Sequence, residues 1–152
     1  MKRLTTITLL MVALIALTAC APKIEEINAV VNSFVEHWKA GNAAKMAALM
    51  TDEVEYGMFF SGDAAPASFS SPPASKSMPA SQLADTLASS PMAATVSCTI
   101  TKTETFGDYA IVTCSFVDSA SPDETIKFDF HLVKTDDGWK ISLFAVTLLS
   151  ID

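Results

Sequence analysis

TVSCTITKTETFGDYAIVTCSFVDSASPDETIKFDFHLVKTDDGWKISLFAVTLL, residues 95–149, decides the fold. Val96, Cys98 and Ile100 alternate with Thr95, Ser97, Thr99, Thr101 and Thr103, a period of two that puts one face of a strand in a core and the other in water. Ala110, Val112, Cys114 and Phe116 repeat the pattern after Gly107-Asp108. Between Thr125 and Thr135, Ile126, Phe128, Phe130 and Leu132 share one face and Lys127, Asp129 and His131 the other. Asp136-Asp137-Gly138 is a turn, and the stretch from Trp139 to Leu149 is apolar on both faces. That final strand is expected to be central in a sheet or to carry a partner interface.

Upstream the period changes. Ile24, Ile27, Val31, Phe34, Val35 and Trp38 recur at helical spacing with Glu25, Glu26, Asn32, Ser33, Glu36 and Lys39 between them, and the helix ends near Gly41-Asn42. Ala43 to Met50 reads as a second short helix with Asn42 as N-cap and Met46, Leu49 and Met50 facing inward. Glu53 to Phe60 alternates as a strand. Residues 61–79 are rich in Ser, Ala and Pro, a long loop that is either a connector or a lid over a site. Ser81 to Ser90 can form a third helix through Leu83 and Leu87. Helices followed by a run of strands give an α+β domain, a curved antiparallel sheet packed on two or three N-terminal helices. With 152 residues, half of them hydrophobic, the chain holds one such domain. Its formal charge of -7 and pI near 4.7 give no basic footprint for phosphates, so nucleic acid is excluded as an expected partner.

The amino end has the pattern of an export signal. Lys2 and Arg3 precede an apolar run from Ile7 to Leu17, and Leu17-Thr18-Ala19-Cys20 follows. This tetrapeptide resembles the bacterial lipobox, which implies cleavage after Ala19, lipidation of Cys20 and a membrane anchor. An ordinary secretory cut after Ala21 is the alternative. In Gram-negative lipoproteins the residue after the lipidated cysteine sorts the protein, and Ala21 implies the outer membrane, facing the periplasm. The expected division is residues 1–19 as signal, 20–23 as lipidated cysteine and short tether, and 24–152 as the domain. Loss of Lys2 and Arg3 leaves eight basic against seventeen acidic residues, a formal charge of -9.

The order of elements, with Phe34-x3-Trp38-Lys39-Ala40-Gly41-Asn42, Leu49-Met50-Thr51-Asp52-Glu53-Val54, Gly107-Asp108-Tyr109-Ala110 and Asp137-Gly138-Trp139-Lys140-Ile141, resembles the nuclear transport factor 2-like superfamily over about residues 24–149. That superfamily includes ketosteroid isomerases, scytalone dehydratases and SnoaL-type polyketide cyclases. The resemblance implies a cone: a strongly curved sheet around helices whose open end often holds an apolar pocket. The isomerase chemistry needs a carboxylate base and acidic donors inside the cone. Their places fall here on Phe34, on Tyr56 and near Phe130, with Asp129 expected on the other face, which argues against that chemistry. The expected function is a non-enzymatic binding or interaction domain, with Trp38, Tyr56, Met58, Phe60 and Phe128 as ligand-binding candidates for a small apolar molecule or an envelope protein partner. An isomerase, dehydratase or cyclase-like enzyme using Tyr56, Asp129 and His131 is the alternative. A homodimer paired through the sheet is the third reading.

Two cysteines remain beyond Cys20, enough for one disulfide in an exported protein. If Thr105-Phe106-Gly107 forms a three-residue loop, Cys98 lies opposite Cys114, Val96 opposite Phe116 and Ile100 opposite Val112, and a Cys98–Cys114 disulfide is expected. A two-residue Gly107-Asp108 turn puts the two cysteines on opposite faces. Two buried thiols are the simpler state. His37 and His131 lack a third ligand at metal-binding spacing, and Met46, Met50, Met58 and Met78 read as packing rather than as copper ligands, so neither metal nor cofactor is expected. No Gly-rich phosphate loop or G-x-S-x-G elbow occurs.

Overall fold

The structure is a computed structural model, and it describes residues 21–61 and 76–149. The signal segment, Cys20 and most of the 61–79 loop lie outside the described residues. Helix α1 (Ala21–Lys39) buries Ile27, Val31, Phe34 and Val35, the face that the helical spacing marks as apolar. It stops at Gly41, whose φ of 63° is left-handed. Gly41 N–H donates to the Trp38 carbonyl at 3.0 Å, and Asn42 N–H to the His37 carbonyl at 2.9 Å. These are the two hydrogen bonds of a Schellman cap, which glycine adopts without a Cβ penalty. Asn42 then caps α2 (Ala43–Ala47), its Oδ1 accepting from Lys45 N–H at 3.2 Å.

Six strands follow in one sheet, with α3 (Ala80–Ser89) inserted: β1 (Met50–Ser61), β2 (Lys76–Pro79), β3 (Val96–Phe106), β4 (Tyr109–Asp118), β5 (Ser121–Thr135) and β6 (Gly138–Leu149). The spatial order is β2-β1-β6-β5-β4-β3, so β6 is interior, as its two-faced apolar pattern requires. The sheet is mixed rather than wholly antiparallel, because β1 runs parallel to β6. The chain passes through β2, α3 and β3 to β5 between these two strands, and local patterning does not specify their relative direction. Strand β1 begins at Met50, which the sequence reading placed in α2. Strand β2 falls within the expected 61–79 loop. It is short, lies at the sheet edge and ends at Pro79, the place where a strand tolerates proline.

Several irregularities bend the sheet. Thr101 is an extra residue in β3 against β4, and Ser142 is an extra residue in β6 against β5. An extra residue on one strand kinks it and increases its twist. At Ser142 the inward set switches from Trp139 and Ile141 to Phe144 and Val146. This switch, together with Leu143 and Ala145 on the far face, explains why β6 reads as apolar on both sides.

The interior of the cone is aromatic. Phe34 packs edge-on against Phe130 at 5.7 Å between ring centres and lies 6.0 Å from Phe144, and all three are essentially inaccessible. Phe128 stacks on Phe144 at 5.1 Å and touches Phe116 at 4.4 Å. Each such pair contributes about 0.5–1.5 kcal/mol beyond its buried area. The helix is also tied laterally, by a 2.7 Å hydrogen bond from the Thr103 hydroxyl to Asn28 Oδ1. Phe34→Ala should lower the unfolding free energy by about 3–5 kcal/mol. Phe106→Ala, at a ring 58% exposed, should change it by less than about 0.5 kcal/mol. Urea titrations of both variants check the contrast.

Candidate functional site

The wide end of the cone is built by the last turn of α1 and the facing parts of β3, β4 and β5. Trp38 is half-buried there. Its ring lies 6.3 Å from Phe116, 5.9 Å from Phe128 and 5.8 Å from Phe144, while its indole N–H donates to the Ser90 carbonyl at 3.3 Å. That hydrogen bond fixes the ring against the end of α3. Tyr56, from β1, is half-buried and stacks on Phe144 at 5.8 Å. Trp38, Tyr56 and Phe128 therefore do come together around one ring, that of Phe144. Met58 and Phe60 pair through their backbones with Val146 and Leu148, and their side chains lie outside what the structure describes.

These aromatic side chains pack against one another around Phe144. A recess of about 200 Å³ opens beside them, lined by Val96, Phe116 and Ile126 with Asp118 and Ser121 at its rim. Phe116 is its back wall and touches both Trp38 and Phe128. Ile126 is 38% exposed, an apolar side chain left in water at the opening. Asp118 accepts a 2.9 Å hydrogen bond from Ala120 N–H. That bond, with a second from the Thr95 side chain, holds its carboxyl below the usual range and commits it to the turn. The volume is below that of drug-sized ligand sites and suits a short alkyl group or a single ring. Val96, Phe116 and Ile126 were legible only as inward-facing strand residues, since alternation gives a face and not a position along the cone.

A second recess, about 410 Å³, lies at the other end of β5. It is lined by Ala48, Thr51, Asp52, Thr135, Asp137 and Lys140 among others, and the Lys140 ammonium donates to the Ala48 carbonyl. Among the described residues no group of three His, Cys, Asp or Glu side chains is placed to hold a metal ion.

Asp129 and His131 lie on the far face of the sheet from the aromatic core. Their neighbours Phe128, Phe130 and Leu132 point inward and are buried. Asp129 Oδ1 accepts from the Thr113 hydroxyl at 2.6 Å, and His131 Nδ1 is hydrogen-bonded to the Tyr109 hydroxyl. Burial pushes the His131 imidazole below its ordinary basicity, against the opposing pull of the Asp129 and Glu55 charges. Burial likewise raises the Tyr109 hydroxyl. Both groups satisfy each other on an outer face and neither reaches the recess.

The cysteine register differs from expectation. Gly107, at φ 64°, and Asp108 form a two-residue turn, and Phe106 faces Tyr109. That turn alone would separate the cysteines onto opposite faces, but the extra residue Thr101 restores the parity. Cys98 consequently faces Phe116 and Cys114 faces Ile100, a diagonal arrangement instead of direct opposition; Val96 faces Asp118 and Val112 faces Thr103. Both cysteines are free thiols in this structure.

With this geometry in place, the comparisons identify the class. A family model for the SnoaL-like domain matches residues 27–143, and the chain belongs to that family. Solved structures agree on the fold. An NTF2-like protein of unknown function from Shewanella baltica superposes with a TM-score of 0.62 at 13% identity, covering 84% of this chain and 94% of that one. One from Methylobacillus flagellatus gives 0.62 at 21% identity, with 84% and 92% covered. A protein provisionally described as a dehydratase of the NTF2-like family, from Streptomyces avermitilis, gives 0.59 at 15% identity, with 86% and 98% covered. No curated protein matches the chain.

His131 provides a pH test of the outer face. The folded protein holds this imidazole less basic than an unfolded chain does, so the unfolded chain takes up the proton first as pH falls through the ordinary value of 6.5. Its contribution to stability is complete above that value and is lost as pH falls toward the depressed folded value. His131→Gln should therefore reduce the decline in the urea midpoint over about pH 7 to 5, as followed by circular dichroism.

Proposed function

We propose that this SnoaL-like domain is the periplasmic portion of an outer-membrane lipoprotein, anchored through Cys20, that binds a small apolar group in the recess beside Phe116 and performs no proton-transfer chemistry. The observation that carries the reading is the aromatic packing of Phe34, Phe130 and Phe144. Phe34 and Phe130 stand where the resemblance to ketosteroid isomerases would put acidic donors, and their rings are packed against each other. Tyr56, in the place of the base, is stacked on the same cluster. A cluster of this kind favours apolar contact, and Phe34 and Phe130 carry no group that moves a proton. The anchor reading rests on Leu17-Thr18-Ala19-Cys20 after an apolar run, and several acyl chains at about 0.8 kcal/mol per buried methylene would make attachment permanent.

Two measurements on the full chain test this. Expressed in a Gram-negative host with an alkyne analogue of palmitate, the chain should carry label and begin at Cys20, and Cys20→Ser should carry none. Equal labelling of both, or an amino terminus elsewhere, overturns the anchor. For the recess, the neutral single-ring probe toluene should bind, as read by saturation-transfer NMR. Ile126→Lys should weaken that binding about tenfold, the equivalent of 1.4 kcal/mol. Unchanged affinity in a folded Ile126→Lys variant places the probe elsewhere.

A further inference from the structure

The geometry points to a thiol–disulfide exchange site on the concave face of the sheet: Cys98 is the attacking thiol, Cys114 the resolving thiol, and the co-reactant a low-molecular-weight disulfide. The two residues sit on neighbouring strands, displaced by two positions in register and on the same inward face. Cys114 is fully inaccessible, whereas Cys98 is half-buried on β3, the outermost strand of the sheet. The two are thus unequal in access.

They are also unequal in chemistry. The neighbouring Cys114 side chain lowers the Cys98 thiol below its ordinary value against the effect of burial, and the Lys39 ammonium at the end of α1 acts in the same direction as Cys114. At Cys114, the Cys98 side chain, burial and the charges of Cys98 and Asp129 all push the thiol up and keep the proton on sulfur. The thiolate is the nucleophile in disulfide exchange. The accessible member of the pair is therefore the one prepared to attack, and the inaccessible one lies diagonally across from it on the same face of the sheet.

The exchange balances as follows. Cys98, having released its proton to solvent, displaces one thiolate from the small disulfide and forms a mixed disulfide. The Cys114 sulfur then attacks the Cys98 sulfur, a Cys98–Cys114 bond forms, and the second small thiolate leaves with the Cys114 proton. The two cysteines are oxidised, and one small disulfide is reduced to two thiols. Directly opposed strand pairs are the better spaced for a disulfide, so a diagonal link must draw β3 toward β4. Strand β3 can yield, since among the described residues no strand pairs with its far edge, and Thr101 already interrupts its ladder. A link formed under such strain is readily reduced again. The pair therefore cycles between thiols and disulfide instead of forming a permanent staple. This inference does not depend on the ligand recess or on the anchor.

The test uses the purified full chain and oxidised glutathione, read by intact mass and peptide mapping that resolves the Cys20 peptide from the others. The wild type should lose two hydrogens and yield a Cys98–Cys114 cross-linked peptide, reversed by reduced glutathione. Cys114→Ala should stop at a glutathione adduct on Cys98. Cys98→Ala should leave Cys114 unmodified, with the adduct forming at least a hundredfold more slowly. Lys39→Ala should slow the Cys98 reaction several-fold and Lys39→Arg restore it, with Trp fluorescence reporting that each variant is folded. Adducts at both cysteines without a cross-link in the wild type, or equal rates in the two folded single-cysteine variants, would overturn the assignment.

Discussion

The packing of Phe34 against Phe130 and Phe144 is the constraint on which the rest of the molecule depends. One ring from the first helix enters the concavity of the sheet and meets one ring from each of the two strands there. A flat sheet could not present β5 and β6 to the helix while its flanking strands also reached around it. The extra residues at Thr101 and Ser142 bend the strands, and the helix fills the curve they produce. Curvature and filling are thus one problem with one solution, and Phe34 is its centre.

That solution shapes the functional end. With Phe34, Phe130, Phe144 and Phe128 packed in the interior, one recess among the described residues lies beside Phe116, on the side where Trp38 stands in the last turn of the helix before its Gly41 cap. The same packing leaves the titratable residues of β5 no place inside, and Asp129 and His131 find partners in Thr113 and Tyr109 on the outer face. The division follows from the price of solvation: a carboxylate or imidazolium keeps its charge only where water or hydrogen-bond partners replace what burial removes. The cone can be a hydrocarbon vessel because the sheet sends its polar alternates outward.

Membership of the SnoaL-like family shows how far a shared fold constrains chemistry. Within that fold the helix brings Phe34, β1 brings Tyr56 and β5 brings Phe130 to rings that meet at Phe144. A fold fixes where side chains converge; the residue types there fix what can happen. Cys98 and Cys114 make the same point on the neighbouring strands, since their shared face is an outcome of register and their unequal access an outcome of burial.

The sequence by itself determined the elements and their faces. Ile27, Val31 and Phe34 marked the buried side of α1, Gly41 its end and Asn42 the next cap, and alternation picked out Val112, Cys114, Phe128 and Phe130 as inward. These are local properties, set by the periodicity of helix and strand and by backbone geometry at a glycine. Tertiary structure alone decided the parallel pairing of β1 with β6, the short edge strand β2, the two-residue turn at Gly107 and the diagonal meeting of the cysteines. An extra residue such as Thr101 or Ser142 leaves no trace in composition, yet it reverses the facing of everything beyond it. Whether it occurs is settled by the fit between strands and the helix they enclose, and that fit exists only once the chain has folded.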